Sequence, residues 1–158
     1  MSLVSTEWLA SNFEKVKILD CSWHLPNVSR NSKKEFDKDH LENAIFFDLD
    51  DNSEKESDLP HMMPTKKKWE EIVSSMGISN NDSIVIYDNS DLYSSCRCWF
   101  SFIYFGHNPN LVHVLDGGLK KWKLENRITT NKINKVNKTK YIALEKKEMI
   151  KNKKQIDE

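Results

Sequence analysis

Two cysteines stand where a loop enters a helix in "SIVIYDNSDLYSSCRCWFSFIYFG" (residues 83–106), a stretch that reads as strand, loop and helix. Loops at strand ends are where α/β proteins keep their chemistry. Cys96 would sit near a helix N-terminus with Arg97 beside it, a setting that favours a thiolate and makes a nucleophile physically possible. Against this, residues 94–105 are apolar nearly all round, and free cysteine in such a helix usually acts as a small buried hydrophobe. A phosphatase cradle also needs Cys-x5-Arg, and the matching positions here are Phe102 and Tyr104. Neither cysteine is a phosphatase nucleophile. Cys21 is remote, there is no CxxC and no paired His/Cys spacing, so no metal site is expected.

Other residues could take part in chemistry but are weak signals alone. Asp50 in "FFDLD" reads as a helix or loop cap, and His61 in "LPHMMP" as a surface-loop histidine. Gly117 and Gly118 in "LDGGLKKW" invite a phosphate-loop reading, but one glycine pair before a helix is better explained by a tight turn at positive φ. Trp99 and Trp122 read as core or interface aromatics, since no Lys/Arg stripe accompanies them for base stacking. His107 in "FGHNP" belongs to the turn closing the preceding helix.

The elements that would position these residues alternate. "STEWLASNF" suits a short helix capped by Ser5, and "KVKILDCSW" a buried strand ending at Asp20. "SRNSKKEFDKDHL" is a charged helix face, "NAIFFDLD" a second strand, and "DNSEKESDLPHMMP" a long polar loop. In "TKKKWEEIVSSMG", Trp69, Ile72, Val73 and Met76 recur at helical spacing until Gly77 stops the pattern. "SIVIYD" and "LVHVLDGG" are a third and a fourth strand, and "GGLKKWKLE" a last short helix. Strands alternating with helices imply α/β architecture, a central mostly parallel sheet with helices on both faces.

The 158 residues suffice for one ordinary domain. With 24 basic and 24 acidic residues the formal charge is zero, which gives no pull toward nucleic acid or an anionic membrane. The longest apolar run, "CWFSFIYF", falls well short of the roughly 18–20 residues of a membrane span. "MSLVSTEWLASNF" lacks a basic start before a hydrophobic core, so no secretory signal is expected, and the odd cysteine count fits a reducing, cytoplasmic setting. From residue 129 the texture turns polar and Lys-rich, as in a solvated linker, until "YIAL" and "EKKEMIKNKKQIDE" suggest a strand and helix beginning something new.

Five ordered motifs carry a resemblance: "ILDCSWHLP", "EFDKDHLENAIFFDLD", "LPHMMP", "IVIYDNSDLYSSCRCWF" and "FGHNPNLVHVLDGGLKKW". In order and spacing, residues 6–122 resemble the N-terminal domain of two-domain sulfurtransferases of the rhodanese family, the 3-mercaptopyruvate branch above all. One departure is "HLENA", where the family usually has a Pro-Gly turn.

The resemblance implies that the catalytic cysteine of a rhodanese domain follows the strand read here as "IVIY". Asp88 holds that place, and a carboxylate cannot carry sulfur as a persulfide. Asp88 therefore marks a non-catalytic domain whose loop it caps, with Arg97 as a candidate structural partner. The implied organisation is residues 1–128 as the N-terminal rhodanese-like domain, and 129–158 as linker and start of a second rhodanese domain absent from this fragment. That partner would hold the nucleophile and a serine reached by Asp50 and His61. The expected function is transfer of sulfane sulfur from 3-mercaptopyruvate, a small-molecule donor, to cyanide or a thiol acceptor such as thioredoxin. No cofactor, metal, nucleic acid or membrane is implied. Two alternatives are a thiosulfate:cyanide sulfurtransferase of the same build and a stand-alone, catalytically dead rhodanese binding module.

Overall fold

The computed structural model describes residues 2–157. Five strands form one all-parallel sheet: β1 (Leu3–Val4), β2 (Lys17–Asp20), β3 (Ala44–Phe46), β4 (Ile84–Tyr87) and β5 (Val112–Leu115), in the order β1-β5-β4-β2-β3. Four of them match the apolar runs of the sequence. The fifth, β1, is two residues long and pairs with β5 at the sheet edge, too short to leave a period.

The helices are α1 (Thr6–Asn12), α2 (Ser32–Lys38), α3 (Lys66–Ser75), α4 (Ser94–Tyr104), α5 (Gly118–Leu124) and α6 (Lys153–Asp157). Ser5 caps α1 as expected, its hydroxyl accepting the Trp8 N–H at 3.0 Å. Successive residues of β4 feed opposite cores. Ile84 and Ile86 join Trp69, Phe102 and Phe105 on the α3/α4 side; Val85 and Tyr87 join Leu9, Phe36 and Trp122 on the other. A central parallel strand reads as a continuous apolar run because both its faces are covered. Where the family's Pro-Gly turn is replaced by "EN", Asn43 takes φ 60°, the left-handed conformation that asparagine tolerates better than other L residues.

Beyond α5 the polar stretch 131–138 is exposed. The strand read at 141–144 is instead extended chain outside the sheet, strapped across the ends of α3 and α4. Thr139 Oγ1 donates to the Ile78 carbonyl at 2.6 Å, the Leu144 N–H to the Phe105 carbonyl at 2.9 Å, and Tyr141 and Ala143 enter the α3/α4 core. Gly106 makes room for this strap: a Cβ there would meet the Leu144 carbonyl oxygen at 2.7 Å. Among the described residues no helix is long and apolar enough to cross a membrane.

Candidate functional site

The carboxyl ends of the strands gather four loops, the edge where open parallel sheets bind ligands. After β4 the chain turns at Asp88, which is buried. Its Oδ1 accepts the Ser90 N–H at 3.2 Å and its Oδ2 the Ser95 N–H at 2.7 Å. The loop closes around its own carboxylate, which takes up the Ser90 and Ser95 N–H groups. Asp88 thus has both carboxylate oxygens bound within the loop and the first turn of α4. Its main chain is packed as tightly, for Leu119 N–H donates to the Asp88 carbonyl at 3.0 Å and a Cβ on Gly118 would lie 2.5 Å from that oxygen. Gly117 and Gly118 both take positive φ, the tight turn read from the sequence.

Arg97 does not pair with Asp88. Its guanidinium reaches across to donate to the carbonyl of His61, and burial holds it below its ordinary pKa. That contact matters because His61 sits at φ 55°, a strained conformation for a residue with a Cβ. Arg97 thus pins the strained residue to α4.

Asp50 and His61, eleven positions apart in an irregular loop, are brought together. His61 Nε2 lies 2.7 Å from Asp50 Oδ1, and the two side chains keep 26% and 63% exposure. Trp23, from the loop after β2, completes the group. Its indole N–H lies 3.1 Å from each Asp50 oxygen, and its ring meets the imidazole edge-on with centroids 4.8 Å apart. A carboxylate held by two donors and an imidazole with one nitrogen committed form an acid–base pair with a fixed orientation.

Around the Asp88 loop lies a cleft of about 670 Å³, lined by Asn89, Ser90, Tyr93, Cys96 and Gly117 among others. Beneath it Asp20 is buried at the end of β2. Burial raises its carboxyl above the ordinary value although Ser22 donates to it through both N–H and hydroxyl. Cys21 and Cys98 are buried, and burial pushes the Cys21 thiol well up; Cys96 is exposed, unlike the buried position expected for this apolar helix. The helix buries Cys98, Phe102 and Tyr104 and turns Cys96 toward the cleft. A neutral maleimide should therefore label one thiol per folded chain, at Cys96, with the other two reacting only after unfolding. Mass spectrometry of the labelled peptide checks this; label on Cys21 or Cys98 under native conditions contradicts it.

Sequence reading missed Trp23, Asp20 and the serines of the Asp88 loop. Asp20 and Trp23 lie together in "LDCSW" at a strand's carboxyl end, and that position was the available signal.

A family model described as rhodanese-like domain matches residues 5–125. The chain is 42% identical over 123 residues to thiosulfate/3-mercaptopyruvate sulfurtransferase 1, mitochondrial, of Arabidopsis thaliana, covering 77% of this chain and 32% of that protein. It is 38% identical over 133 residues to the 3-mercaptopyruvate sulfurtransferase of Mus musculus, covering 79% of this chain and 44% of that one. The crystal structure of SseA from Escherichia coli, a 3-mercaptopyruvate sulfotransferase with the rhodanese fold, superposes with a TM-score of 0.91. It is 24% identical, over 99% of this chain and 60% of that one, a likeness of fold. Both curated relatives are more than twice as long as the matched part of this chain.

Proposed function

The chain belongs to the rhodanese-like domain family, and from that premise we propose that it forms the non-catalytic N-terminal half of a two-domain 3-mercaptopyruvate sulfurtransferase. The observation that carries the reading is the Asp50–His61 pair at 2.7 Å on the carboxyl edge of the sheet, beside a loop whose nucleophile position is Asp88. Asp50 accepts from Nε2–H and so sets the tautomer in which Nδ1 of His61 is the free base. A serine hydroxyl of the second domain, docked on this edge, then completes a Ser-His-Asp arrangement. Exposed Leu59 and Met62 in the His61 loop and Leu92 and Tyr93 in the Asp88 loop supply apolar surface for that docking.

In the proposed reaction the partner's cysteine thiolate attacks the sulfur of 3-mercaptopyruvate. The sulfur–carbon bond breaks, its electron pair leaving as the enolate of pyruvate, and the cysteine becomes a persulfide. The enolate takes a proton that the relay delivers, and a thiol or cyanide acceptor later removes the outer sulfur.

The test is a pair of assays with 3-mercaptopyruvate and cyanide. The 158-residue chain alone should give no thiocyanate above background, and the same chain joined to a second rhodanese domain should turn over. Thiocyanate from the chain alone, abolished by Cys96→Ser, would place the nucleophile in this domain and end the reading.

A further inference from the structure

We propose that the Asp88 loop, which lacks a nucleophile, serves as the scaffold of the Asp50–His61 pair, with Trp23 as the positioning residue between them. The inference rests on the relay reading above. It starts from a problem of mobility. Asp50 is 63% exposed, and a free carboxylate so exposed rotates among several orientations, few of which point an oxygen at His61. The Trp23 indole N–H bridges both oxygens, 3.1 Å from each, and fixes that rotation. The same indole lies edge-on to the imidazole, 4.8 Å between centroids at 86°, so one rigid ring holds both members of the pair.

What holds Trp23 is the loop without a nucleophile. The Trp23 N–H donates to Ser94 Oγ at 3.1 Å, and Ser90 Oγ donates to the Trp23 carbonyl at 2.6 Å. Those serines are themselves fixed. Ser90 N–H is tied to Asp88 Oδ1 at 3.2 Å, and the Ser94 hydroxyl donates to the Cys21 carbonyl at 2.7 Å. Arg97, on the same helix, fastens the His61 carbonyl. Two serines and an arginine from one loop–helix junction thus converge on Trp23 and His61, a convergence that capping α4 does not require. Asp88 shapes the loop, the loop clamps Trp23, and Trp23 orients the pair.

The experiment uses the two-domain protein and the variants Trp23→Phe, Ser90→Ala and their combination. Phenylalanine keeps an aromatic ring at position 23 and removes the indole N–H together with the rest of the second ring. Trp23→Phe should lower kcat for 3-mercaptopyruvate by about tenfold with KM within about twofold, the signature of lost orientation rather than lost substrate contact. Ser90→Ala should lower it by about threefold, and the double variant should be no slower than Trp23→Phe, because Ser90 acts through the indole. Full multiplication of the two losses overturns the proposal. So does wild-type turnover by Trp23→Phe when His61→Ala is slow. Should His61→Ala also turn over normally, the relay reading falls instead. The scaffold is then judged on the 158-residue chain by NMR. Averaging of the His61 ring signals in Trp23→Phe supports it, and unchanged signals overturn it.

Discussion

In the proposed two-domain sulfurtransferase, His61→Ala is expected to slow turnover of 3-mercaptopyruvate by about 10²–10⁴-fold, the usual cost of losing a positioned acid–base group. Thiosulfate should suffer far less. Its sulfur is abstracted with sulfite leaving as a stable anion, whereas mercaptopyruvate leaves an enolate that needs a proton. The ratio of the two kcat/KM losses is therefore the quantity to measure, since a folding defect would lower both substrates alike. Asp50→Asn should show the same selectivity more weakly: its carbonyl can still accept from Nε2–H, but it no longer stabilises the imidazolium that forms during proton transfer. Arg97→Gln adds an internal control, because it frees the strained His61 backbone at φ 55° without touching either ring nitrogen. Equal losses for both donors, or none for mercaptopyruvate, would return His61 to the status of an ordinary loop residue.

The sequence foretold the two halves of the molecule unequally, for physical reasons. The strands β2, β4 and β5 were readable because burial on both faces leaves uninterrupted apolar runs, and α3 because one face recurs every three or four residues. Asp50 and His61 were reachable only through resemblance. They meet across an irregular loop, where no period links eleven positions. For Trp23 the sequence offered only its place past a strand's carboxyl end, for its partners lie 27 and 71 positions away and only the tertiary fold brings them together. Arg97 shows a different limit. Charge alone pointed it at Asp88, but Asp88 was already satisfied by N–H groups of its own loop, and the guanidinium went to a carbonyl. Cys96 was misplaced because an apolar composition does not say which few positions of a helix stay in solvent. At the strap the pattern was right and the surface wrong. Tyr141 and Ala143 alternate with exposed Ile142 and Leu144 as in a strand, but period two reports extended chain and not what it packs against.

That strap yields the second large effect. Tyr141→Ala should destabilise the domain by about 3–5 kcal/mol, the range for deleting a buried aromatic side chain, and lower Tm by roughly 10 °C. Tyr141 is buried against the α3/α4 core, and its ring stacks parallel to that of His107 with centroids 5.8 Å apart. His107 is fully enclosed: Nδ1 lies 3.1 Å from the Tyr141 hydroxyl and Nε2 3.0 Å from the Asp82 carbonyl, with Phe102 edge-on. Burial holds the imidazole below its ordinary value of 6.5, against an opposing pull from Asp82, and burial raises the Tyr141 hydroxyl. The sign follows. Below about pH 6.5 the unfolded chain binds a proton at His107 that the folded chain refuses until lower pH, so this contribution is complete above that value and declines on acidification. Removing Tyr141 opens His107 to water and relaxes the penalty. The difference in unfolding free energy between wild type and Tyr141→Ala should therefore shrink between pH 7.5 and pH 5.5. Other titrating groups, buried Asp20 among them, are common to both proteins and cancel in that difference. Urea titrations at the two pH values measure it. A loss below about 1 kcal/mol at pH 7.5 would mean that the strap is not part of the cooperative core. A large loss that does not change with pH would leave the packing intact and remove His107 from the account.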